Sequence, residues 1–237
     1  MTNAITTPKT ADEIMAEYRA KLADRAIAVQ NQITAAPTNV IRTKGRVFTM
    51  PDGTTNQGPL SCVILDFVSF NSLFKGAYNP QNPQPPVCWA VGNLHDMKPS
   101  ASCPEPQNPG GDCAQCPKNQ WGSATNGGKG KACKNQFKIA LIPSDLKDAD
   151  PNKIYTLNVS PTGMKVFSAY VRRIQKALGD DALPMRVVTE VSFDPAQAYP
   201  SLLFREKDLN SNLHASIQLF DEAHEMLMRE PKAADEE

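Results

Sequence analysis

Five of the six cysteines in this 237-residue chain fall between Cys88 and Cys133. That clustering constrains the fold more than any other feature. Cys113-Ala114-Gln115-Cys116 is a Cys-x-x-Cys knuckle, which turns two thiolates toward one point so that a single ion can take both at about 2.3 Å. A tetrahedral ion then needs two more sulfurs or imidazoles. Cys88 and Cys133 can supply them, and the 16 residues between Cys116 and Cys133 match the ligand spacing of zinc ribbons. The expected centre is one structural Zn2+ per chain held by Cys88, Cys113, Cys116 and Cys133. Cys103 and His95 are alternative donors. Cys88 and Cys133 are preferred because they would clamp both ends of a proline- and glycine-rich insert that lacks the apolar content to fold alone. Four sulfurs leave no position open for water or substrate, so the metal is expected to be structural, not catalytic.

Lys+Arg and Asp+Glu both number 25, so net charge is silent about partners, but its distribution is not. From Asp221 onward seven acids face only Arg229 and Lys232, leaving about −5 on the tail and about +5 on the rest of the chain. A basic body with an acidic tail is an interaction pattern. No apolar run approaches the 18 or more residues of a membrane span, and the N-terminus lacks a basic-then-apolar leader. A cytoplasmic protein without membrane contact is expected, and in that compartment clustered cysteines are metal ligands more often than disulfides.

Thr10-Ala11-Asp12-Glu13 reads as a capping box ahead of an amphipathic helix over residues 11–33. Strand patterns follow at 40–50, 60–70, 136–142, 154–159, 185–193 and 202–205, with helices over 162–178 and 209–228. Three segments result: an N-terminal helix and linker (1–37), a core (38–206) with an insert at 86–135, and a C-terminal helix with the acidic tail (207–237). The fold class expected is mainly β with flanking helices. Five or six short strands with one helix between the fourth and fifth suit an OB-fold-like five-stranded barrel carrying a zinc-ribbon-like insertion. Cys62, inside an apolar strand, reads as a small core residue.

Lys118, Lys129, Lys131, Lys134 and Lys138 surround the knuckle, and no acid falls between Cys113 and Lys138. Trp121 lies among them, and bases stack on such rings. Arg42, Lys44 and Arg46 alternate along the first strand pattern and would share a face. Candidate nucleic-acid contacts are therefore Arg42, Lys44, Arg46, Phe48, Trp121, Lys129, Lys131, Lys134 and Tyr155. The glycine-rich run 126–131 is not a P-loop, because neither Lys129 nor Lys131 is followed by Ser or Thr. No catalytic motif is present, and an enzyme is not expected.

Val63-Ile64-Leu65-Asp66-Phe67, Cys88-Trp89-Ala90, Cys113-Ala-Gln-Cys116-Pro, Trp121-Gly-Ser and Gly130-Lys-Ala-Cys133-Lys-Asn135 together resemble phage-encoded single-stranded DNA-binding proteins, which insert a metal loop into an OB-fold. The resemblance spans about residues 38–206. It implies a non-enzymatic, sequence-tolerant single-strand binder acting in DNA replication, recombination or repair. It also implies an acidic tail that recruits replication or recombination proteins, and self-association on DNA. The competing expectation is a zinc-ribbon protein-interaction or transcription-accessory module.

Overall fold

The computed structural model describes residues 39–76, 84–124 and 127–231. The chain divides into two units, Met1–Thr38 and Asn39–Glu237, and all described elements belong to the second. The N-terminal helix expected over 11–33 and the last six residues of the acidic tail lie outside the described residues.

The fold is mainly β, built around one 14-residue strand, β4 (Leu60–Leu73). Its run of Val63, Ile64 and Leu65 is apolar on both sides because both faces of the sheet are covered. β6 (Lys134–Pro143) pairs with nearly the whole length of β4 on one edge. On the other edge β8 (Val187–Phe193) takes Leu60–Cys62, and β5 (Cys88–Gly92) takes Ser69–Leu73. β7 (Tyr155–Val159) follows β6, and β1 (Val40–Ile41) ends the sheet with its single parallel pairing. β9 (Leu202–Leu209) forms the opposite end, beside β8. The result is a mixed seven-stranded sheet. A separate two-stranded hairpin joins β2 (Phe48–Thr49) to β3 (Thr55–Asn56). Its turn is Pro51-Asp52-Gly53, where Gly53 has φ of 85° and the Asp52 carboxylate accepts the Thr54 amide at 2.8 Å.

α1 (Met164–Leu178) buries Phe167, Tyr170 and Ile174, three to four residues apart, on one face of the sheet. Phe167 meets Phe67, Phe137, Tyr170 and Phe204, with ring centroids 5.0–5.9 Å apart. The other face carries Val63, Leu65, Ala140 and Ile142 under Leu219, Ala223 and Leu227. Leu219 joins the short helix α2 (Leu213–Gln218) to α3 (Phe220–Met228).

Three expectations change here. The helix expected from Leu209 starts at Leu213, because β9 extends to Leu209 and Asn210 closes the turn by donating to the Met185 carbonyl at 2.8 Å and to Ser216 Oγ at 2.9 Å. The stretch Arg42–Arg46 is not one strand: Lys44–Arg46 is a 3-10 turn with φ of 66° at Gly45 and 61° at Arg46, so the three cations do not alternate along a sheet face. The described sheet has two ends, β1 and β9, and does not close into a barrel. Arg173 of α1 covers part of the β9 edge, donating to the Phe204 carbonyl at 3.0 Å and to both Glu206 carboxylate oxygens at 3.0 and 2.9 Å. That is one way in which a sheet end avoids pairing with another chain.

Phe167→Ala should cost about 3–5 kcal/mol, since it empties the middle of a buried aromatic cluster. The shift in urea midpoint at constant m-value measures it, and a loss below about 1 kcal/mol would mean that the cluster collapses to refill the space.

Candidate metal centre and basic loop

The sheet positions the cysteines. Cys88 opens β5 opposite Leu73, and Cys133 directly precedes Lys134, which lies opposite Ser72. The two cysteines therefore flank one end of β4 from opposite sides. The loop between them is tied to that end by backbone bonds from the Ser100 amide to the Trp89 carbonyl at 2.9 Å and from the Cys133 amide to the Lys118 carbonyl at 2.9 Å, and is closed internally by the Cys113 amide on the Met97 carbonyl at 2.8 Å. The knuckle is two short 3-10 turns, Cys113–Gln115 and Pro117–Asn119, with Pro117 starting the second. Asn119 braces it, donating from its side chain to the Cys113 carbonyl at 2.8 Å.

Cys88, Cys113, Cys116 and Cys133 all line one cavity of about 20 Å³, together with Asn71, Trp89 and Lys118. That volume is close to what one water-sized sphere occupies. Among the described residues no three His, Cys, Asp or Glu side chains are grouped so as to hold a metal ion. The four thiols thus share a cavity without converging on one point within it. Burial pushes the Cys88 thiol up to about 11 and the Cys133 thiol up to about 12, with the neighbouring cysteines adding to both and Lys131 opposing the rise at Cys133. Cys113 is raised by burial as well, with Cys116 nearby, and is lowered by a hydrogen bond from Asn71. A cluster that resists charging when empty must release protons to bind a cation.

Cys103 has a different place. Its sulfur accepts the Trp89 amide at 3.0 Å, and its thiol donates to the Trp89 carbonyl at 3.3 Å. It therefore bonds the β5 backbone and packs with Phe70, Leu73, Cys88 and Trp89, close enough to Cys88 and Cys113 to raise both thiols, although it does not line the cavity itself. His95 is exposed and does not line the cavity either.

The candidate nucleic-acid contacts separate into two groups. Trp121 is 79 % exposed, the most open large apolar side chain among the described residues, and the Lys131 ammonium lies 5.7 Å from its ring centroid. Lys118, Lys129 and Lys134 are exposed in the same insert or at its end. Phe48 belongs to the second group. It is fully buried and stacks on Phe193 at 4.5 Å, so its ring cannot receive a base. Tyr155 packs half-buried against the main core, and Arg42, Lys44 and Arg46 sit around the 3-10 turn.

Residue spacing gave no sign of a polar network beneath the loop. The Lys131 ammonium donates to Asn119 Oδ1 at 3.2 Å and Asn135 Oδ1 at 3.1 Å, and Asn135 donates to Asn71 Oδ1 at 2.5 Å. Proximity to the ligand positions was the only signal available: Asn119 follows Cys116 by three residues and Asn135 follows Cys133 by two. The start of the tail was equally hidden, with Ser102 donating to the Glu230 carboxylate at the edge of the insert and Pro231 buried beyond it.

Comparison of the chain with protein-family models, curated proteins and solved structures finds no match.

The two tryptophans differ sharply, Trp89 being 8 % exposed against 79 % for Trp121. Trp121→Phe should therefore remove nearly all acrylamide-quenchable emission and leave a blue-shifted, shielded signal. Persistent strong quenching in that variant would show that Trp89 is open in solution.

Proposed function

We propose that this chain is a sequence-tolerant, non-enzymatic single-stranded DNA-binding protein acting in DNA replication, recombination or repair, with a cysteine loop ordered by one zinc ion. The observation that carries the reading is Trp121: an apolar ring almost fully in water, beside an ammonium group and near exposed lysines, in a segment without acids. Exposing such a ring costs solvation unless a partner covers it, and unpaired bases present flat faces that stack on it. Lys118, Lys129 and Lys134 are the cations placed to meet phosphates. In this reading the strands around β4 serve as an OB-like binding body, and the acidic tail recruits replication or recombination proteins.

The donor set fits zinc. Four soft sulfurs line a water-sized cavity that contains no carboxylate, and soft ligands select zinc over hard cations. The ion would draw in Cys88, Cys113, Cys116 and Cys133 and hold a loop that has no core of its own, since structural zinc contributes on the order of 10–16 kcal/mol to folding.

Elemental analysis of freshly purified protein should give one zinc per chain. Cys116→Ser should lose it, whereas Cys103→Ser should keep it, because Cys103 bonds the β5 backbone. Uptake by stripped protein should release protons, and affinity should climb as pH rises from 6 toward the elevated thiol values, where proton competition fades. Protein without metal, or a pH-independent affinity, would remove zinc from the proposal.

Fluorescence titration tests the DNA reading. Single strands should bind tightly and duplex weakly, and log affinity should fall with log salt at about −0.7 per phosphate neutralised. Trp121→Ala should weaken single-strand binding by about 1–3 kcal/mol, roughly 5- to 150-fold. Equal affinity for duplex, or no binding to either, would favour a zinc-ribbon interaction module instead.

A further inference from the structure

Resting on the zinc reading, we infer that Lys131 is a positioning residue that couples the cysteine cluster to the exposed ring of Trp121, and that it does not primarily contact a ligand itself. Lys131 is half-buried, unlike Lys118, Lys129 and Lys134. Its ammonium has two acceptors, Asn119 Oδ1 at 3.2 Å and Asn135 Oδ1 at 3.1 Å. Each acceptor leads back to the knuckle. Asn119 donates to the Cys113 carbonyl at 2.8 Å. Asn135 donates to Asn71, which is 3 % exposed and lines the cavity beside Cys113. The same ammonium lies 5.7 Å from the Trp121 ring.

One cation thus joins β4, through Asn71, and β6, through Asn135, to the turn after Cys116 and to the ring that a base would cover. A mobile lysine reaching for phosphate would not be held by two amide oxygens. The geometry also suits a thiolate site, because the positive charge lies near Cys133, where it offsets negative charge that a zinc-bound cluster gathers. Groups that orient metal ligands through hydrogen bonds typically change affinity by 10- to 100-fold when removed.

The test compares Lys131→Met, Lys131→Arg and Asn135→Ala with Lys98→Met, an exposed charge deletion on the same insert, using full-length protein. Two readouts are taken: the rate of zinc transfer to a chromogenic chelator, and acrylamide quenching of Trp121. Lys131→Met should release zinc about 10- to 100-fold faster than wild type and alter Trp121 quenching, while Lys98→Met changes neither. Lys131→Arg should recover part of both effects. Asn135→Ala, which keeps the charge and deletes one acceptor, should lie between and serves if Lys131→Met fails to fold. Zinc release and quenching in Lys131→Met that match Lys98→Met would overturn the inference. If the wild type contains no metal, the zinc reading fails by itself. The coupling is then judged on Trp121 quenching alone: an effect confined to Lys131 and Asn135 variants supports it, and no effect refutes it.

Discussion

The pairing of β4 with β6 and β5 sets the geometry on which the candidate site depends. At the C-terminal end of β4 the two partner strands lie on opposite edges, one starting with Cys88 and the other just after Cys133. Strands run about 4.8 Å apart, so the two positions are held roughly 10 Å from each other, two strand spacings. The knuckle is held by backbone bonds from the Cys113 amide to Met97 and from the Cys133 amide to Lys118. Register matters because a one-residue slip of either partner would turn its cysteine to the opposite face. What prevents the slip is burial of both faces of β4, under the α1 aromatics on one side and Leu219, Ala223 and Leu227 on the other. The core and the site are therefore one construction: hydrophobic packing far from the sulfurs fixes the strand ends that carry Cys88 and Cys133 to the shared cavity.

Much of this could be read from residue order, and the reasons are local. Val63–Leu65 is apolar without alternation, as a strand covered on both faces must be. The spacing of Phe167, Tyr170 and Ile174 has a helical period, and Gly179, with φ of 115°, ends that helix. The four cysteines that line the cavity stand out by their spacing and by lying at the knuckle and the two ends of the insert. Where the reading failed, a weak local pattern met a stronger constraint. Arg42, Lys44 and Arg46 have the period of a strand, but Gly45 permits a left-handed turn that reverses the chain between β1 and β2. Leu209 lies in the strand because it pairs with Val187, and Asn210-Ser211-Asn212, turn and cap residues, separates it from the helix that starts at Leu213. Phe48 looked available beside cations and is instead a core residue stacked on Phe193. The asparagines were invisible because hydrogen bonding has no period. Asn119 and Asn135 acquire their roles only when Lys131 lies between them.

In the proposed function the lysines of the insert serve two purposes, and both call for positive charge. Burial and the neighbouring thiols raise Cys88, Cys113 and Cys133 and so favour their protonated forms. Zinc held by four thiolates would carry two net negative charges into the same small volume. Positive charge nearby would offset it, and Lys131, fixed by two amides, and Lys118, which lines the cavity, are the cations placed to do so. Lys129 and Lys134 are exposed on the same segment, where the phosphate chain of the proposed function could run. A carboxylate anywhere between Cys113 and Lys138 would oppose both purposes, by repelling the loaded cluster and by repelling the strand. That stretch contains no acid, which suits both parts of the proposed function.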